Sequence, residues 1–287
     1  MALGRFLDPK NDLAFNRIFG TEKNKDILIH FLNDMFSLSK NPIKTVKFLK
    51  TVQIPEIQVQ RSSLVDVLCE DQNGDRFIIE MQVDGEPGFE KRAQYYAAKA
   101  YVEQRNLNND YHNLKKVTFL AITSHTLFKD KKAYLSHHQM RDIETLEHDL
   151  VEFSFSFLEL PKFKKKKNEL TNIIEKWAYF LKNARKTEEE DLAGIIGEDL
   201  IIRRAYDEIS QYAWTPEELR YYDSIDMKHS ANEAVMQGAW DGGKAEGKAE
   251  GEAIGIEKTA RKLLELGIDR ASIVKATGLS LAEIEKL

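Results

Sequence analysis

The stretch LVDVLCEDQNGDRFIIEMQ, residues 64–82, constrains the fold more than any other part of the chain. It reads as two strands around a polar turn, with one acid inside each apolar run, Asp66 in the first and Glu80 in the second. Strand side chains alternate between the two faces of a sheet. Val65, Val67 and Cys69 make one apolar set, and Phe77, Ile79 and Met81 make another. Both sets belong on the same side, because a slip of one residue would turn one of them outward. A two-residue turn at Asn73-Gly74 would set Asp66 against Met81 and split the sets. A three-residue loop, Gln72-Asn73-Gly74, keeps them together and pairs Asp66 with Glu80, with Gly74 placed for the left-handed residue such a loop ends on. Directly opposed residues carry Cβ atoms roughly 4.5–5.5 Å apart.

Two carboxylates that close repel each other, the more so where Leu64, Leu68 and Ile78 share their face. One resolution is a divalent cation, since Mg²⁺ binds through one or two carboxylates plus phosphate oxygens. The other is an exposed sheet face with Arg or Lys close by. The alternation admits both.

A chain of 287 residues with 42% hydrophobic content can bury a substantial core. The net charge of −5 gives no global attraction to nucleic acid or to a membrane surface, so contact with DNA has to come from local patches. Cys69 stands alone, which excludes an internal disulfide and suits a reducing compartment. The N-terminus MALGRFLDPK lacks an apolar leader segment, and no apolar run reaches membrane-spanning length, so a soluble cytoplasmic protein is expected.

Asp8-Pro9 is suited to start a short helix running to Phe19, and Ile27, Leu28, Phe31, Leu32 and Met35 space a second over 24–36. A first strand is expected over 43–53, then the hairpin at 63–70 and 76–83, a helix over 88–105 and strands over 116–123 and 151–158. Residues 125–150 are polar and carry no clear pattern. Leu170, Ile173, Ile174, Trp177 and Leu181 mark an amphipathic helix, and Thr215-Pro216-Glu217-Glu218 opens another with a capping box. The order is that of an α/β (α+β) core followed by helices.

Several further motifs point to no separate chemistry. Gly238 to Lys244 approaches a phosphate-binding loop, but Ala245 stands where a hydroxyl is needed and no strand precedes it. The repeat over 242–255, with Gly243, Gly247, Gly251 and Gly255 four apart, fits a flexible linker or a helix that needs a partner. Residues 270–287 have a helix-turn-helix outline with Gly278 in the turn, yet the last helix carries Glu283 and Glu285 against Lys286. That charge favours a packing or protein-contact module over DNA reading. The basic run at 162–167 is either a phosphate-backbone contact or a charged connector. The histidines do not organise: His137-His138 is adjacent, not at the spacing of a helical zinc pair.

An Asp in one strand, then Glu-x-Lys in the next, between two helices, is the arrangement of the PD-(D/E)XK nucleases. Asp66 and Glu80-Met81-Gln82 resemble it. The chain is more closely similar to the recombination-promoting nuclease family, also described as transposases. The resemblance lies in DPKNDLAFNRIFG (8–20), the hairpin (64–82), KRAQYYAAKAYVEQ (91–104), ELPKFKKKKNEL (159–170), EKWAYFLKNA (175–184), the Gly-Lys-Ala-Glu repeats and TGLSLAEIEKL (277–287). It implies a restriction-endonuclease-like core with a central mixed sheet flanked by helices, plus a helical C-terminal extension. The expected division is a core over 1–165, helices over 166–236, the repeat over 237–256 and a small helical tail over 257–287. The resemblance further implies metal-dependent hydrolysis of DNA phosphodiesters, linked to recombination or mobile elements. Asp66, Glu80 and the Met81 carbonyl would bind Mg²⁺, and DNA would be the partner. Self-association through the helical tail is also open.

One departure stands at Gln82, where the superfamily carries its lysine. Glutamine can orient water but brings no charge. A helix over 88–105 offers replacements: Arg92, Tyr96, Lys99 and Glu103 share one stripe, with Lys99 the first candidate cation and Arg92 the second. The alternative for both is an ordinary solvated face. Asp12 is a further acid for the site, or simply an acid favoured by the helix dipole.

Overall fold

The computed structural model describes residues 5–49, 65–106 and 111–287. Two compact units emerge, Met1–His229 and Ser230–Leu287. In the first, helices α1 (Asp12–Phe19) and α2 (Lys25–Met35) precede β1 (Val46–Phe48), β2 (Val67–Asp71) and β3 (Arg76–Gln82). Helix α3 (Phe89–Val102) then leads to β4 (Val117–Thr123), β5 (Leu135–Gln139) and β6 (Phe153–Glu159). Helices α4 (Ile173–Asn183), α5 (Leu192–Ile196) and α6 (Leu200–Glu208) follow, and then the start of α7 (Pro216–Glu265).

The six strands form one mixed sheet in the order β1-β2-β3-β4-β6-β5. The β3–β4 and β4–β6 pairs are parallel; the others are antiparallel. β4 lies inside the sheet with helices over both faces, and all seven of its residues, VTFLAIT, are buried. The hairpin has the register that alternation demands: Val67 pairs with Ile79, Leu68 with Ile78 and Glu70 with Arg76. Gly74 closes the loop at φ +87°, in the left-handed region.

That register sends Cys69, Phe77, Ile79 and Met81 into a large core with α1, α2, α4 and α6. Leu68 and Ile78 face the opposite way, under α3. Ala93, Ala97 and Ala100 are the α3 residues that meet this second face, and their small side chains let the helix lie close to the sheet. Val65 departs from the expected set. The strand begins only at Val67, and Val65 joins the α3 side instead.

Other boundaries also move. Helix α1 starts at Asp12, capped by Asn11, whose side chain accepts from the Leu13 N–H at 3.1 Å; the Asp8-Pro9 start is not used. Asp8 instead accepts from Lys10 at its own side chain, a local turn that competes with helix. Strand β5 falls in the polar stretch where no strand was expected. It is an edge strand, so pairing with β6 rather than apolar alternation defines it. Residues 50–53 of the expected first strand, and Leu64, lie outside the described residues. Helices α4, α5 and α6 and the start of α7 share the large core with α1 and α2, so no separate core begins at residue 166.

Trp177 on α4 is the centre of that core. It is fully buried among Phe19, Phe31 and Phe180, and its indole N–H donates to Asp34 Oδ2 at 2.8 Å. Trp177→Ala would leave a large cavity and take from Asp34 its indole donor, leaving His30 beside that carboxylate, at a cost of about 3–5 kcal/mol. A thermal midpoint lower by about 10 °C in a calorimetric scan is the expected result.

In the second unit, the glycine repeat is helical throughout, inside α7. Helices α8 (Arg270–Thr277) and α9 (Leu281–Ile284) follow, with Gly278 left-handed between them at φ +75°. Ala260, Ile273 and Ile284 form a small core there. Ser280 and Glu283 make the expected capping box, and Glu285 pairs with Arg270 at 3.4 Å. Among the described residues, no helix is long and apolar enough to cross a membrane.

Candidate active site

The two hairpin acids meet. Asp66 stands one position before β2, and the pairing of Val67 with Ile79 sets it opposite Glu80. Each carboxylate reaches across to the other strand's backbone. Glu80 Oε2 accepts the Asp66 N–H at 3.1 Å, and Asp66 Oδ2 accepts the Met81 N–H at 2.7 Å. These cross-braces fix both side chains at the carboxyl end of β3, beside its parallel neighbour β4. The exposed-face alternative does not apply, since Glu80 is only 8% exposed.

Burial makes this pair reluctant to ionise. The Asp66 carboxyl is pushed up to about 6, chiefly by removal from water, with the nearby Asp12 charge adding to the effect. Glu80 is pushed higher, to about 8, by burial first and then by Asp66. Arg92 opposes the shift in both. Like charges in a poorly solvated site behave this way when no cation sits between them.

Arg92 is the cation that reaches the pair among the described residues. Its Nη2 lies 3.9 Å from Glu80 Oε1 and donates to Gln82 Oε1, while its Nη1 bonds Glu86. The guanidinium also packs 5.1 Å from the Phe89 ring centre. Gln82 turns its other end to the chain, with Nε2 donating to the Asp84 carbonyl at 2.8 Å. The amide orientation is thereby determined: reversed, it would face donor to donor and acceptor to acceptor. Gln82 thus stands where a lysine is expected and, lacking charge itself, holds a charged neighbour.

Lys99, the first candidate by sequence, pairs instead with Glu103 at 3.8 Å. The next residue on α3, Ala100, accepts from Arg76 at the opposite end of β3. Lys99 therefore follows the far end of the sheet, and Arg92, two turns earlier, follows the near end.

Asp12 comes to the site from the first turn of α1, near enough to raise both hairpin carboxyls. It has a partner the sequence did not reveal. His229 on α7 lies between two acids, with Nε2 3.7 Å from Asp12 Oδ1 and Nδ1 3.4 Å from Asp84 Oδ2. Helix α7 is locked there two turns earlier by Tyr222, which is buried on the same stripe. The Tyr222 hydroxyl accepts the Asp8 N–H at 2.9 Å, and its carbonyl accepts from Asn11. The expectation that no histidine organises fails because the grouping joins α1, the loop after β3, and α7. No local spacing carries that signal.

The donor set suits a hard divalent ion. Two carboxylates converge, both resist bearing charge without a cation, and one guanidinium stands against Asp12, Asp66 and Glu80. Among the described residues no three His, Cys, Asp or Glu side chains form a metal cage. An ion held by one or two carboxylates, with water and phosphate completing its shell, needs none. A cleft of about 890 Å³ lies elsewhere, lined by Phe77, Thr118, His137 and Ser156 among others, and none of the candidate residues lines it.

A family model described as PD-(D/E)XK nuclease family transposase matches residues 9–238. A second, described as Rpn/YhgA-like nuclease family, C-terminal HTH domain, matches residues 257–287. No curated protein and no solved structure matches the chain.

Proposed function

Because the chain belongs to the PD-(D/E)XK nuclease family of transposases, we propose that it is a Mg²⁺-dependent DNA endonuclease serving recombination or mobile elements. The observation that carries this reading is the buried, cross-braced pair of Asp66 and Glu80. With the Met81 carbonyl, these two carboxylates would hold the ion. Bound there, Mg²⁺ would polarise a phosphoryl oxygen and make a bound water more acidic.

The remaining work falls to side chains. Arg92 offers planar N–H donors to the negative charge that builds on the phosphate, in place of the missing lysine. Gln82 orients Arg92, and Glu86 is an exposed partner that a phosphate can displace. Asp12 supplies a further acceptor for a water proton, steered by His229. His229→Ala is expected to lower cleavage by about tenfold, the usual effect of losing an outer partner of such a site. A thermal midpoint that stays unchanged alongside the slower nicking separates this from unfolding.

Nicking of supercoiled plasmid tests the whole reading. Cleavage with Mg²⁺ that disappears with EDTA and in Asp66→Ala is the expected outcome. Binding without nicking in any divalent metal would mark an impaired binding module on a nuclease fold. Failure to bind DNA, with a discrete oligomer, would mark a scaffold. Self-association through the helical tail has support in Val235, Met236, Trp240 and Ile254, all exposed on α7.

A further inference from the structure

We propose that the lysine cluster between β6 and α4 is a docking site for the phosphate backbone of DNA, feeding the acid pair. It rests on the nuclease reading for the choice of polyanion. The need for such a site is electrostatic. Asp12, Asp66, Glu80, Asp84 and Glu86 gather around one arginine, and the chain as a whole carries a net charge of −5. Phosphates approaching that region meet repulsion unless a local positive surface holds them.

The cluster supplies one. A cleft of about 430 Å³ is lined by Lys164, Lys165, Lys166, Lys167 and Lys182, with Asp191 the acid on its wall. Two of these lysines are neutralised: Lys165 by Glu175 at 2.5 Å, and Lys167 by Asp191. Lys164 and Lys166, on either side of Lys165, are exposed, and their ammonium groups have no acidic partner among the described residues. Lys182 donates to the Phe163 carbonyl at 2.5 Å, which satisfies a donor but leaves its charge unmatched. Burial, then Lys164 and Lys10, hold its ammonium below the usual lysine range. Three uncompensated cations facing one cleft make a local positive surface that favours an anion.

The lysines are also held in place. Phe163 is fully buried and packs edge-on against Tyr134 at 5.1 Å, which anchors the start of the run. The backbone is extended at Phe163 and again at Lys166, and burial alternates between them: Phe163 is buried, Lys164 exposed, Lys165 half-buried and Lys166 exposed. Lys165 turns to α4, while Lys164 and Lys166 stand about 6–7 Å apart along the chain, able to meet successive phosphates of one strand. The cluster also adjoins the active-site loop. Lys10 is close enough to depress Lys182, is tied to Asp8 at 2.6 Å, and precedes Asp12 by two residues. The cluster and the start of α1, which carries Asp12, are thus neighbours through Lys10.

The test is binding of the full chain to a fluorescent duplex of ordinary sequence, in EDTA, across a NaCl series. Lys164→Ala/Lys166→Ala is compared with wild type and with Asp66→Asn. Each lost phosphate contact lowers the log–log salt slope by about 0.9. The double variant is expected to bind at least about tenfold more weakly at ~0.1 M salt, with a slope shallower by nearly two and an unchanged thermal midpoint. Asp66→Asn, which removes one of the repelling charges and none of the lysines, is expected to bind at least as tightly as wild type. Affinity and slope equal to wild type in the double variant would overturn the proposal, even if Asp66-dependent nicking were intact. Lysine-dependent binding without nicking in any metal would instead remove the nuclease reading and leave this site standing. Binding of polyglutamate as tight as DNA, and lost in the same variant, would reassign the cluster to acidic proteins and overturn it too.

Discussion

Glu80→Gln and Asp66→Asn are each expected to reduce plasmid cleavage by about a hundred- to a thousandfold or more, the range found when one preorganised charge is removed from a reacting centre. Both substitutions keep the shape of the side chain. In Asp66→Asn the new amide oxygen would still accept the Met81 N–H, and in Glu80→Gln the amide oxygen would still accept the Asp66 N–H, so the hairpin should hold. The metal-free protein should in fact become more stable at alkaline pH. Each substitution removes a charge that burial, first, and a neighbouring acid disfavour. Loss of nicking together with a higher thermal midpoint at pH 9 is the combined signature. A variant that loses both activity and midpoint would point to a structural role for the pair. One that retains cleavage would dissociate the acids from the chemistry.

The stability of metal-free protein is expected to fall between about pH 4 and pH 8 through this one pair. Asp66 and Glu80 hold their protons to about 6 and about 8, against ordinary values of 3.8 and 4.5. Over that interval the folded chain binds more protons than the unfolded chain, so the slope of stability with pH is negative. The contribution is fully present below the unfolded values and is lost as pH rises through the folded ones. Its size is on the order of a few kcal/mol. A divalent cation should reverse the trend, because it binds the ionised pair and displaces protons. Thermal scans from pH 5 to 9, with EDTA and with Mg²⁺, measure both limbs. The difference between wild type and Glu80→Gln isolates the pair from other titrating groups. Curves that stay parallel across the range, with or without Mg²⁺, would show that the two carboxyls ionise as they do in water.

Arg92 is placed where the proposed site would need its positive charge. The position that bears lysine in the wider superfamily is Gln82, and its amide oxygen accepts from the Arg92 guanidinium. On the function proposed above, the cation would stand on α3 and not on β3, with the glutamine as its support. Arg92 and Lys99 lie on one face of α3, so helical periodicity singles out both. Choosing between them required knowing which end of α3 lies over the carboxyl end of β3. Helical periodicity says which residues share a face; it contains no information about which end of that face meets the acids.

The meeting of Asp66 and Glu80 was legible from the chain alone, because register is a local matter. Of a two- and a three-residue loop, only the second keeps the two apolar sets on one side, and a one-residue error would expose a row of Phe, Ile and Met. The capping boxes at Thr215 and Ser280 were legible for the same reason, each residing in four consecutive residues. Tertiary structure alone decided the burial that raises both carboxyls, the choice of Arg92, the position of Asp12, and the arrival of His229 from a helix far along the chain. These depend on how α1, α3 and α7 pack against the sheet. Such contacts are made between distant segments through shape and desolvation, and neither leaves a period in the sequence.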